Sequence, residues 1–263
     1  MEDYVVRGIE KIQGRINVSP NVHKNSKLAI ANHIRVMKAR DADIKTVYKH
    51  LFALEYFLKA LGKVDVNKAT REQLETAISE INVLPLADET KRDIKAITKG
   101  FYKHLLGEGL YYPPQVAWIK TTNKRKSKML PEDLITEEEV KKLLGATKNP
   151  RDKAIIALLF DSGIRAGELL NMKRKDVDLN KKLAHIVVDG KTGMRRVPIM
   201  FSVPFIVQYL TAINQPGPEE PLWADIGNRH IEQSLNNGGL GTMLKKVAKR
   251  AHVEKRVYAH LFR

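Results

Sequence analysis

The sequence predicts a mainly α-helical protein with a small β-sheet, divided into a helical N-terminal domain and a mixed α/β C-terminal domain. Three observations predict it. Residues 23–119 hold four segments with apolar residues at helical spacing and no strand signal. A strongly basic stretch at 120–133 interrupts that pattern. Beyond it, helical segments flank two short runs suited to a hairpin. At 263 residues, 43% of them apolar, the chain is long enough for two modest packed cores.

Residues 1–22 read as a loose or partly helical arm, broken by Pro20 and Asn21. The helical domain opens with "KNSKLAIANHIRVMKAR". In "DIKTVYKHLFALEYFLKALG", Ile44, Val47, Tyr48, Leu51, Leu54, Phe57, Leu58 and Leu61 share one face, and Gly62 is a C-terminal stop. "TREQLETAISEI" starts with Thr70 as N-cap and Gln73 three positions on, a capping-box pattern. "DETKRDIKAITKGFYKHLLGEG" is a fourth helix, ended by Gly107, with an apolar stripe of Ile94, Ile97, Phe101 and Leu105. On another side Lys91, Lys95, Lys99 and Lys103 recur every fourth residue. Like charges so spaced cost an isolated helix roughly 0.2–0.5 kcal/mol per pair. A phosphate backbone would turn that cost into attraction, and a solvated lysine face is the plainer alternative.

The linker carries Lys120, Lys124, Arg125, Lys126 and Lys128 before its first acidic residue, Glu132. It is either a basic tether or a segment lying along a polyanion. From Leu134 the texture changes. Thr136 and Glu139 form a second capping box, and Pro150 occupies a favoured helix-opening position. The run Ala154 to Phe160 is apolar on nearly every side, which predicts a central helix. "LAHIVVDGKTGMRRVPIM" reads as two strands around a turn, with Pro198 confining the second to an edge or an end. Helices follow at "VPFIVQYLTAI", at "LGTMLKKVAKRAH" and, as a helical opening, at the final "RVYAHLFR".

Composition narrows the function. Lys and Arg number 46 against 30 Asp and Glu, a formal charge of +16. Such an excess contributes nothing to a fold and points to a polyanionic partner, with nucleic acid first, an anionic membrane surface second and a merely soluble basic enzyme third. RNA is a weaker fit, because no aromatic platform motif is present. Cysteine is absent, which excludes disulfides and thiolate sites. No secretory signal or bilayer-spanning apolar run is seen, so a soluble, cytoplasmic protein is expected. Neither a P-loop nor a metal-ligand spacing occurs, so no cofactor and no metal are expected.

Four positions carry possible chemistry. Arg165 stands among Ile164, Ala166, Leu169 and Leu170, where a guanidinium must be paired or await an anion. Glu168, three residues on, is its natural partner, and a purely structural pair is one reading. Lys191 follows the Asp189–Gly190 turn. His260 and Arg263 are three apart, so a helix would show both on one side. The basic amphipathic helix containing Lys245, Lys246, Lys249 and Arg250 could dock on DNA.

In order, G-I-R-x-G-E-L, G-K-x-G-x-x-R-x-P and H-x-x-R, set behind a basic helical domain, resemble the tyrosine recombinases, the family of phage integrases, Xer recombinases and archaeal viral integrases. The likeness runs from about residue 23 to the last residue. It implies a helical core-binding (SAM-like) domain joined to a catalytic domain, the two shaped as a clamp on the duplex. It also implies that Arg165 and Arg263 grip the scissile phosphate and that Lys191 protonates the departing 5′ oxygen. His260 would assist proton transfer and Glu168 would orient the site from behind. Preorganised guanidiniums suit a phosphoryl transition state, each worth about 2.7–4 kcal/mol.

The family's nucleophilic tyrosine lies a few tens of residues beyond the second arginine. The resemblance therefore implies a catalytic domain, 134–263, that is truncated, binds DNA and does not cleave it. A non-catalytic DNA-binding form or inhibitor on the same fold is the alternative. The full-length family tetramerises on paired sites, and a monomer is expected of these residues alone. A nucleoid-associated setting or a virus-infected prokaryotic host would suit such a protein.

Overall fold

A computed structural model describes residues 2–121, 131–180, 183–190, 193–213, 217–223 and 234–263. The chain forms two compact units, Met1–Lys126 and Ser127–Arg263, divided within the stretch expected as linker.

The first unit contains six helices among its described residues: α1 (Glu2–Val18), α2 (Lys24–Ala39), α3 (Ile44–Leu61), α4 (Arg71–Val83), α5 (Asp88–Leu105) and the single turn α6 (Pro114–Ala117). The most apolar, α3, is central: α1, α2, α4 and α5 all pack on it, and Val47, Leu51, Leu54 and Phe57 are fully buried. The Thr70–Gln73 capping box opens α4 as its sequence requires.

The expected N-terminal arm is instead a helix built into this core. Ile9, Ile12 and Ile16 recur at helical spacing on α1 and are 4%, 2% and 4% exposed. An ion pair secures the contact, because Arg15 donates from Nε and Nη2 to both oxygens of buried Glu55 on α3, at 2.7 Å each. Lys59 binds the same carboxylate at 2.9 Å, and together the two cations hold Glu55 below the usual carboxylate range. Pro20 and Asn21 do end the helix.

In the second unit, α7 (Glu137–Gly145) begins at the Thr136–Glu139 capping box and packs on α8 (Pro150–Ser162). Every residue from Ala154 to Leu159 is fully buried, so α8 is the expected central helix. Gly163 closes it in the left-handed region, φ 57°. The chain then enters α9 (Ala166–Leu170), β1 (Val177–Asp178), β2 (His185–Gly190) and β3 (Gly193–Pro198), followed by α10 (Val203–Ala212) and α11 (Asn237–Arg250). The antiparallel sheet has the order β1-β2-β3, so β3 is an edge strand ending on Pro198, as its sequence demands. The two-residue β1 carries no sequence signal of its own.

The terminal segment differs from its expected helical opening. Ala259–Phe262 is one 3-10 turn. It is anchored by a bond from the Ile135 amide to Leu261 O (3.3 Å) and by Lys255, whose Nζ donates to Leu134 O (2.8 Å) and Glu139 Oε2 (3.1 Å). Among the described residues no helix is long and apolar enough to cross a membrane.

If α1 is core rather than arm, Ile12→Ala should lower the unfolding free energy in urea by about 2–5 kcal/mol. A free arm would leave the transition where it is.

Candidate phosphate-binding site

Arg165 is the N-cap residue of α9, and its backbone is extended there. Glu168, at the third helical position, turns back and accepts from the Arg165 amide at Oε2, 2.9 Å. That is half of a capping box. An arginine side chain has only donors, so the reciprocal half is replaced: Arg165 Nη1 donates to Glu168 Oε1 at 2.8 Å. The carboxylate is sealed, with 2% side-chain exposure, while the Arg165 side chain is 36% exposed. The guanidinium is thus tethered at one nitrogen and open at its other end.

Two elements close over Glu168. On β3, Arg195 donates from Nη1 to Oε1 (2.9 Å) and from Nη2 to Oε2 (2.8 Å). At the end of β2, Gly190 approaches so closely that a Cβ there would collide with Glu168 Oε1. The Arg195 fork, with the amide and guanidinium of Arg165, holds the Glu168 carboxyl well below its ordinary value, at about 2. Arg195 itself is raised by the same pairing. Below α9, Trp223 Nε1 donates to Leu169 O at 2.9 Å, and Tyr209 stacks on that indole at 5.4 Å between ring centres. The turn that carries Arg165 is therefore fixed from both sides.

The terminal 3-10 turn comes to the same place. A Cβ on Gly163 would lie 3.9 Å from Phe262 O and 4.0 Å from Arg263 Cγ, so the Arg263 stem runs beside the turn leading into Arg165. Leu261 and Phe262 face the core while His260 and Arg263 face solvent. Residues three apart eclipse in a 3-10 turn, and the Arg263 amide, just past the turn, donates to His260 O at 3.3 Å. Lys191 lies outside the described residues. Arg195 is the functional candidate that sequence reasoning missed.

Of the expected DNA contacts, Lys124, Arg125 and Lys126 also lie outside the described residues. Lys245, Lys246, Lys249 and Arg250 form the exposed face of α11, whose opposite face buries Leu240, Met243, Leu244 and Val247. The lysine stripe of α5 has internal partners. Lys91 donates to Asn82 O (2.8 Å) and Lys95 to Asn82 Oδ1 (3.1 Å). Lys99 donates to the carbonyls of Ala117 (2.9 Å) and Ile119 (3.2 Å) and lies 4.7 Å from the Tyr112 ring centre. These ammoniums tie α5 to α4 and to the segment around α6, a role the sequence did not reveal.

A half-exposed arginine tethered to a sealed carboxylate, with a second arginine and a histidine on an adjoining turn, is an arrangement chemically suited to holding an oxyanion. Residues 133–263 match the Phage integrase family, and the chain belongs to that family, the tyrosine recombinases. It is 42% identical over 101 residues to tyrosine recombinase XerA of Pyrococcus horikoshii, covering 38% of this chain and 35% of that protein. With a tyrosine recombinase of Thermosipho africanus it shares 28% over 214 residues, 80% of this chain and 66% of the other. The matched stretches thus span between about a third and two thirds of these relatives' lengths.

The same fold occurs in a lambda integrase tetramer bound to a Holliday junction, with TM-score 0.71, 15% identity, and coverage of 95% of this chain and 70% of that one. It also occurs in XerH bound to palindromic difH, with TM-score 0.66, 17% identity, and coverage of 98% and 82%.

Glu168 titrates near 2 in the fold against an ordinary 4.5, so its ion pairs stabilise the protein fully above pH 4.5. That contribution should fade as pH falls from about 4.5 through about 2. Urea midpoints across this window should fall more steeply for the wild type than for Glu168→Gln. Parallel pH dependences would show that the carboxylate is not held as described.

Proposed function

We propose that the chain supplies the phosphate-activating groups of a site-specific DNA recombinase, an integrase working by metal-free transesterification through a 3′-phosphotyrosyl intermediate. The observation that carries this reading is the half-open tether of Arg165 on sealed Glu168, beside the stem of Arg263. The tethered guanidinium of Arg165, joined by that of Arg263, meets the charge that grows on the non-bridging oxygens in the transition state. Lys191, next in sequence to Gly190, protonates the departing 5′ oxygen. His260 moves the proton of the attacking hydroxyl.

The substrate is duplex DNA. The exposed cations of α11, the basic stretch at Lys124, Arg125 and Lys126, and the net charge of +16 favour it, and structures of the same fold are DNA complexes. In the helical unit, residues 23–119 act as the core-binding domain, with α1 as part of its scaffold. Recombination takes place in a tetramer on paired sites, whereas these residues alone are monomeric.

The nucleophilic tyrosine comes from outside these residues. Tyr102 and Tyr209 are sealed in the two cores. Tyr4, Tyr48, Tyr56, Tyr111 and Tyr112 belong to the helical unit. Tyr258 precedes the terminal turn, where the family places no nucleophile. Of themselves these residues would bind DNA and leave its cleavage to the tyrosine supplied from outside.

The missing nucleophile can be bypassed chemically. A duplex selected from a random pool for binding this chain is nicked to carry a 3′-(4-nitrophenyl) phosphate beside a free 5′ hydroxyl. The 5′ oxygen forms the new P–O bond, 4-nitrophenolate leaves with the bonding electrons, and the hydroxyl proton passes to Lys191, the group that protonates this oxygen in the reverse direction, or to solvent. The chain should accelerate sealing and release of the yellow phenolate, and Arg165→Gln or Arg263→Gln should slow it by about 10²–10³-fold. Tight binding with no acceleration would overturn the reading. A covalent protein–DNA adduct formed by this chain would overturn the assignment of the tyrosine.

A further inference from the structure

We infer that Arg195 is a positioning residue for Arg165. By taking two of the acceptor positions on Glu168, it keeps the carboxylate from closing on both ends of the Arg165 guanidinium and so leaves that guanidinium free for a phosphate. This rests on the reading of Arg165 as a phosphate-binding residue.

An ionised carboxylate offers about four acceptor positions. In Glu168 all are occupied: Oε1 by Arg165 Nη1 (2.8 Å) and Arg195 Nη1 (2.9 Å), and Oε2 by the Arg165 amide (2.9 Å) and Arg195 Nη2 (2.8 Å). The two arginines are bound differently. Arg195 engages both oxygens with a parallel fork, the stronger and more directional geometry. Arg165 engages one oxygen with one side-chain nitrogen.

The charges follow the same division. One carboxylate between two guanidiniums leaves the cluster with net charge +1. Both side chains are 36% exposed, and Arg165, which commits one side-chain nitrogen to Glu168 where Arg195 commits two, keeps more N–H groups for an anion. Without Arg195, two vacated acceptor positions would sit in a nearly sealed site beside a mobile, half-exposed guanidinium. A second Arg165 N–H would fill one of them, since leaving a buried acceptor empty is costly. Arg165 would then be a neutralised, closed ion pair.

The sheet register explains why this position carries the fork. Arg195 pairs with Val188 across the ladder, and Val188 is 1% exposed. Arg195 and Val197 therefore share the inward side while Arg196, between them, points away. Gly190 lets the end of β2 approach Glu168 with no Cβ in the way. A lysine at 195 would keep the charge without the planar fork.

The test uses the nitrophenyl phosphate duplex, at a temperature where circular dichroism shows each variant folded. Arg195→Gln should lower the sealing rate at saturating DNA by about 10–100-fold, the scale for a residue that orients a charged neighbour, with DNA affinity falling no further than it does in Arg165→Gln. Arg195→Gln combined with Glu168→Gln should regain part of that rate, because a neutral amide does not capture Arg165. A residue that only braces the fold would shift the melting temperature and leave the saturated rate unchanged, and that result would overturn the inference. If Arg195→Gln does not fold, Arg195→Lys serves in its place and should show the same loss in smaller degree.

A readout independent of activity is the Arg165 Nε–H signal in ¹⁵N spectra. Its exchange with water should slow in Arg195→Gln as the guanidinium closes on Glu168, and unchanged exchange would contradict the inference. Wild-type sealing with Arg165→Gln impaired and Arg195→Gln unimpaired would remove only the role of Arg195. No wild-type sealing, with Arg165→Gln behaving alike, would remove the phosphate-binding reading and this inference with it.

Discussion

A carboxylate removed from water must find hydrogen-bond donors and opposing charge within its reach, and Glu168 finds four donors on two arginines. Much of the second unit's local architecture follows from that requirement. Glu168 draws the N-cap residue of α9 onto its own helix and pulls the edge strand β3 inward at Arg195. It also requires a glycine at the end of β2. A buried charge satisfied in this way need not stabilise the fold more than a well-packed apolar replacement would. Its effect is geometric, since only one arrangement of helix, strand and turn satisfies every donor and acceptor at once.

The surrounding core makes that arrangement rigid. Buried α8 delivers the chain to Gly163, whose left-handed conformation turns it into Arg165. Trp223 bonds the carbonyl of Leu169 from below. The terminal turn is held to the start of the unit by Ile135 and Lys255. A guanidinium tethered as that of Arg165 is would lose little freedom on meeting an anion, which is how preorganised sites gain their advantage. The helical unit is built on the same logic: Glu55, sealed on α3, is met by Arg15 and Lys59 and so fixes α1 to the bundle.

Most of the fold was legible because it depends on local rules. Both capping boxes, the all-round apolar α8 and the hairpin ending on Pro198 can be read from spacing and residue type. The failures have separate physical causes. Ile9, Ile12 and Ile16 held a helical period, but Gly8, Gly14 and the charged flanks obscured it until α3 supplied a partner. The carbonyl partners lie 9 residues away for Lys91 and 18 and 20 residues away for Lys99, separations that no local pattern encodes. Arg195 was legible in principle. Strand alternation places it with Val197 on the inner side, but in "MRRVP" nothing marks which arginine faces in unless Glu168 is already known to wait there.

The central claim is that Arg165 reserves its open face for one phosphate of a bound duplex. It is tested most directly by replacing each phosphate of the selected duplex in turn with a neutral methylphosphonate and measuring affinity for wild type and Arg165→Gln. One position should weaken the wild type markedly and leave Arg165→Gln unaffected, the signature of a specific coupling between that arginine and that phosphate. Equal losses in the two proteins at every position would contradict it and leave Arg165 as no more than a structural partner of Glu168.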